Sequence, residues 1–151
     1  MRKIIIYVLA LLLILCIITG IASVLIYKST MSSKGKLIYG IGLGVYSDAG
    51  CTTKITLIDW GNITPSSTNT KQVYIRNENT TNFTLALTEQ NWIPVNISTY
   101  LTLTWDYTNQ TMKPNDVLAI TFILEVSNNI IYNNPQITDF SFDIVITAVQ
   151  V

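Results

Sequence analysis

Two patterns divide the chain. Ile4 to Tyr27 is a run of 24 residues with no charge, rich in Ile, Leu and Val. From Leu37 onward, apolar residues recur at every second position, and Asn, Pro, Gly and Ser clusters separate the runs. Period two marks half-buried strands rather than helices. The Thr, Ile, Val, Tyr and Trp content suits a pleated surface. A first strand is predicted from Leu37 to Val45, with Leu37, Tyr39, Ile41, Leu43 and Val45 on one side and Gly40, Gly42 and Gly44 on the other. A second contains Ile55 and Leu57 and ends in the turn Gly61–Ser67. A third carries Val73 and Ile75, a fourth Phe83, Leu85 and Leu87, and a fifth Leu101, Leu103 and Trp105. Lys113-Pro114-Asn115-Asp116 turns the chain into a sixth strand, with Leu118, Ile120, Phe122, Leu124 and Val126 inside. A loop around Ile130, Ile131 and Tyr132 leads to a seventh, with Phe140, Phe142, Ile144, Ile146 and Ala148 inside. Seven short strands with regular turn signals predict an all-β, immunoglobulin-like sandwich over residues 37–151, with an open barrel as the alternative.

The N-terminal run has the length of a membrane span. As a helix its 24 residues extend about 36 Å, against a hydrocarbon core of about 30 Å. Tyr7 and Tyr27 lie near its ends, where aromatic rings favour the membrane interface. Residues 1–28 therefore read as an uncleaved signal-anchor with Arg2 and Lys3 in the cytoplasm. The competing reading is a secretory signal removed at a small-residue site such as Gly20-Ile21-Ala22, although the apolar run continues past it. Residues 29–36 (STMSSKGK) read as a flexible polar linker.

Charge sharpens this division. Five of the nine cations precede Leu37, whereas the remainder carries four cations against all nine acids. An acidic domain with no overall basic excess is not built to hold nucleic acid. Histidine is absent, which removes imidazole acid–base catalysis, a Ser-His-Asp triad and histidine-bound metals. No Cys cluster exists for zinc. Gly40-x-Gly42-x-Gly44 has the wrong spacing for a dinucleotide fingerprint, and Ser33-x-x-Lys36 falls in the expected linker. Asp139 and Asp143 lie about 13 Å apart along the last strand, too far for a glycosidase pair. Asp59 and Asp106 read as turn carboxylates, with a calcium site as the alternative. No catalytic, cofactor or metal residue is assigned, and no small-molecule substrate is implied.

Other candidates concern the surface. Asn62, Asn79, Asn82, Asn96 and Asn109 each begin an Asn-x-Ser/Thr sequon, where 13 Asn and 30 Ser/Thr would give roughly 2.6 by chance. They are glycosylation candidates if the domain lies outside the cell, and Asn/Thr-rich turns otherwise. Trp60, Trp92 and Trp105 could line a carbohydrate surface, or pack in the core. Cys16 lies in the apolar run and cannot pair with Cys51, which is then a small packed side chain or a link to another chain. The glycine-faced first strand is either an ordinary strand of its own domain or a donor that completes a neighbouring subunit's sheet through Leu37, Tyr39, Ile41, Leu43 and Val45. Such a head-to-tail contact makes a filament.

Several stretches resemble short secreted or membrane-anchored archaeal proteins: Val45–Cys51, Ile58–Gly61, Val73–Asn77, Asn91–Pro94, Leu103–Tyr107 and Phe140–Ile144. The likeness covers most of residues 40–147. It implies an immunoglobulin-like sandwich and transfers no catalytic residues. The layout is more distantly similar to archaeal surface-filament subunits that assemble by donor strands. The expectation is a non-enzymatic, membrane-anchored, glycosylated surface protein whose partners are the membrane, copies of itself or other envelope components. Alternatives are a secreted filament subunit and a carbohydrate-binding module.

Overall fold

The computed structural model describes residues 31–40, 42–130, 137 and 139–151. The predicted membrane segment, Ile41 and most of the loop around Ile131 and Tyr132 lie outside the described residues. The described chain is all-β. Its elements are β1 (Met31–Tyr39), β2 (Leu43–Tyr46), β3 (Leu57–Ile63), β4 (Thr68–Asn77), β5 (Phe83–Ile93), a 3-10 turn (Val95–Thr99), β6 (Leu101–Trp105), β7 (Val117–Val126) and β8 (Asp139–Gln150). They form two four-stranded sheets, ordered β3-β1-β8-β5 and β2-β4-β7-β6. One apolar core draws on both, with Ile75, Ile120, Phe122, Leu124 and Ile144 fully buried. The alternations expected for β4 to β8 supply these residues.

The start of the domain departs from expectation. The linker at 29–36 is strand from Met31 onward, and its Met31, Ser33, Gly35 and Leu37 face inward. Only two of those four are apolar, so no hydrophobic alternation announces the strand. Gly35 is required by its neighbours: a β-carbon there would lie 2.8 Å from Ile144 Cδ1 and 3.2 Å from Trp60 Nε1. Ser33 is accommodated because its hydroxyl donates to the Gly61 carbonyl at 3.3 Å.

The predicted single strand Leu37–Val45 is two strands in different sheets. Gly42 adopts φ +83°, a conformation disfavoured for residues with a β-carbon. Leu43 N–H donates to the Gly40 carbonyl at 3.3 Å, closing the turn. Leu37 thus reaches the core from one sheet, and Leu43 and Val45 reach it from the other. The described residues accordingly form eight strands, where the sequence predicts seven.

In β3 the expected faces are exchanged: Ile58, Trp60 and Ile63 are buried, and Leu57 is exposed. The strand also runs through Gly61, where the sequence predicts the start of a turn. Its pairing with β1 slips by one residue between Ser33 and Lys34, and Gly61 has φ +72°. This bulge resets the alternation, so Trp60 and Ile63 share a side although they are three apart.

The strand directions define two ends. Met31 pairs with Ile63, and Ile93 pairs with Ser141, which itself pairs with Lys34. Val126 N–H bonds to Ser67 O and Ser127 N–H to Tyr100 O, joining the β3–β4 turn, the end of β7 and the 3-10 turn to this Met31 end. At the far end, Glu78 N–H bonds to Gly42 O, Asn77 N–H to Asp116 O and Phe83 N–H to Met112 O.

Candidate functional site

Asn77 organises the far end. It is 0% exposed, and its side-chain amide donates to Thr81 O at 2.9 Å and Met112 O at 3.1 Å. Its Oδ1 accepts from Asn79 N–H at 2.8 Å. A buried amide with all three bonds made locks the 78–82 turn onto the β6–β7 loop. Tyr107 braces that loop from inside, its hydroxyl donating to Gln110 O at 2.6 Å and accepting from Leu85 N–H at 3.0 Å. Asn109, at φ 63°, sits in this loop. The far end therefore presents Asn79, Asn82 and Asn109 on a braced platform, all three exposed. Asn62, level with Ser32, and Asn96, in the 3-10 turn, are exposed at the Met31 end. The sequons thus fall into two groups at opposite ends.

A polar clamp at the sheet edge has no counterpart among the sequence expectations. Glu78 accepts a hydrogen bond from the Tyr46 hydroxyl and pairs with Lys54 Nζ at 2.9 Å. The Tyr46 hydroxyl, then Lys54, hold the Glu78 carboxyl below its ordinary pKa. The bond to Glu78 in turn raises the pKa of Tyr46 and of Lys54. Gly44 lies beneath the clamp, where a β-carbon would be 2.5 Å from the Tyr46 ring and 2.6 Å from Glu78 Oε1. The clamp spans positions 46, 54 and 78, a spacing without a motif. Its groups are occupied with one another, as in a structural tie.

The acidic candidates are not brought together as a site. Asp59 accepts from Gly61 N–H at 2.8 Å, Asp106 from Thr121 N–H at 2.8 Å, and Asp143 from the Asn91 amide at 2.7 Å. Asp48 closes its own loop through Thr52 and Thr53 N–H, which lower its pKa. Among the described residues no group of three metal-ligating side chains occurs. Cys51 is free and half-buried beside this loop, at φ 52°.

The three tryptophans are committed to packing. Trp60 is 4% exposed, with its Nε1 buried against Gly35 and unpartnered. Trp92 stacks on Phe142 at 4.0 Å between centroids, and Trp105 packs on Phe122 and Tyr107. Of the expected donor-strand residues, Leu37 is buried in β1, Leu43 and Val45 are buried in β2, and Tyr39 closes β1 with its hydroxyl donating to Ile55 O at 3.4 Å. Ile41 lies outside the described residues. β1 is bonded on both sides within its own chain, antiparallel to β3 and parallel to β8.

A shallow depression of about 440 Å³ opens beside the end of β1, lined by Ile38, Tyr39, Asn79, Phe83, Val145 and Gln150. It brings no pair of titratable carboxylates together. The chain matches no family model, and no curated protein is similar to it.

Proposed function

We propose that the protein is a non-enzymatic cell-surface protein with a structural or adhesive role. Residues 1–28 hold it in the membrane as a single-pass anchor, and the acidic β-domain stands outside the cell. The observation that carries this reading is the junction: an uncharged 24-residue run followed, after three residues, by a strand of a closed domain. The exposure of all five sequon asparagines supports an extracellular placement. Native protein from membranes should keep its N-terminal segment by intact mass, resist carbonate extraction and be cut by protease on whole cells. A mature mass lacking the first 20 or so residues would assign it to the secreted class instead.

A second reading is a filament subunit that exchanges its first strand. It rests on strand order. Immunoglobulin sandwiches pair strands A-B-E-D and C-F-G. Here β2-β4-β7-β6 follow A-B-E-D, β5 and β8 follow C and F, and β1 lies beside β8 in the position of G, parallel to it. A terminal strand seated centrally, next to a glycine turn, is the element that copies of a chain can exchange. Sedimentation that finds only monomer over a wide concentration range would discard this reading.

A further inference from the structure

We infer that the exposed turn Ile93-Pro94-Val95 is a second contact with the lipid bilayer, lying in the interface beside the anchor. The inference rests on the anchor proposed above. Ile93 is 65% exposed and Val95 80%; among the described residues these two and Val151 are the most exposed large apolar side chains. They belong to the Met31 end: Ile93 pairs with Ser141, and Ser141 with Lys34. β5 runs opposite to β8 and so opposite to β1, so the chain beyond Ile93 heads toward the level of Ser32 and Met31. In the order β1-β8-β5 it lies two strands from β1, about 10 Å across the sheet.

The tether sets the distance to the lipid. Tyr27 ends the uncharged run, and only Lys28, Ser29 and Thr30 separate it from Met31, the first residue of β1. Four Cα steps reach at most about 14 Å when fully extended. A domain so held keeps its Met31 end against the interface, and the apolar side chains nearest that end meet the headgroup–acyl boundary. Apolar groups there bury about 5–10 Å deep, which the short reach permits. Lys34, in the shallow groove with Ile93, is level with the headgroups, and Asp139 shares that groove. The contact is therefore assigned to the apolar pair rather than to charge. Asn96 follows Val95 directly, so a glycan on Asn96 is incompatible with this seat, whereas Asn79, Asn82 and Asn109 at the far end are unaffected.

The test uses the full chain in phosphatidylcholine vesicles, with or without bromine on the acyl chains. Val95→Trp adds a fluorophore at the turn. Val117→Trp adds one at an exposed position (43%) at the start of β7, one ten-residue strand away from the Met31 end. The emission added by Val95→Trp should fall about twofold or more in brominated vesicles, and that added by Val117→Trp should not change. Co-flotation without selective quenching of Val95→Trp overturns this inference and leaves the anchor standing. Failure to co-float overturns both. Glycopeptide mapping of the native protein is an independent test: a sugar on Asn96 overturns the contact, and an unmodified Asn96 beside a modified far-end sequon supports it.

Discussion

Replacing Gly35 by Ala tests the packing that makes β1 part of the domain. The new β-carbon would sit 2.8 Å from Ile144 Cδ1 and 3.2 Å from Trp60 Nε1. Ile144 is 0% exposed, so its methyl must move within the core rather than out into solvent. Relief requires an off-rotamer Ile144 or a small strand shift. Overpacking of this kind costs about 1–3 kcal/mol. The loss of unfolded-state freedom from Gly to Ala offsets about 0.4–1 kcal/mol of that. The net expectation is a destabilisation of about 1–2 kcal/mol, or a Tm lower by about 5 °C. Gly40→Ala is the control, since nothing lies within 4 Å of a β-carbon there. It should match the parent within about 0.5 kcal/mol. Ile144→Val removes the clashing Cδ1 and by itself costs about 0.5–1.5 kcal/mol. Combined with Gly35→Ala it should cost less than the two singles together, with a coupling of at least about 0.5 kcal/mol. Denaturant titration of the full chain in micelles, followed by near-ultraviolet circular dichroism, reads all four proteins. Equal stability of Gly35→Ala and Gly40→Ala, or strict additivity in the double variant, would refute the close approach of β1 to β8 and Trp60.

Asn77→Ala should lose about 2–4 kcal/mol, because Thr81 O and Asn79 N–H lose their side-chain partner in a largely enclosed turn; amide exchange should accelerate in residues 78–82 and 108–116 before it does in β7. Phe122→Ala, at a fully buried ring stacked on Trp105, should cost about 3–5 kcal/mol in the same titration. The Glu78 carboxyl has a depressed pKa when folded, so its contribution is present above the unfolded carboxylate value and disappears as pH falls through the folded one. Glu78→Gln should therefore flatten the acid limb of the stability curve. Lys54 and Tyr46 have raised values, so their contributions hold below their unfolded pKa values and disappear as alkaline pH passes the folded ones. Lys54→Met should remove the Lys54 contribution at neutral pH and so weaken the alkaline loss, seen as a slightly lower neutral Tm and a flatter alkaline limb in thermal melts across pH.

Alternation locates part of each of β4 through β8 and picks their buried residues, such as Val73, Ile75, Phe83, Leu85, Leu101, Leu103, Ile120, Phe122, Leu124, Phe142, Ile144 and Ile146, but not the polar first half of β4 or the polar second half of β5. The uncharged run, the lack of histidine and the sequons are also sequence facts. Expectation and structure part where alternation is absent or interrupted. β1 hides as a linker because its inward row is Met31, Ser33, Gly35 and Leu37, and the small members are explained only by Trp60, Gly61 and Ile144 arriving from other strands. In β3, Trp60 and Ile63 share a side because a bulge at Gly61 changes the phase, which pairing with β1 creates and a linear pattern cannot carry. The Asn77 hub and the Tyr46–Lys54–Glu78 clamp join residues tens of positions apart, so their existence depends on which strands become neighbours. Local chemistry decided that this chain would form extended, one-sided segments. Only packing of the two sheets decided which end of the domain carries Met31, the Ile93–Val95 turn and each group of sequons, because that follows from strand direction and order rather than from any single stretch of residues.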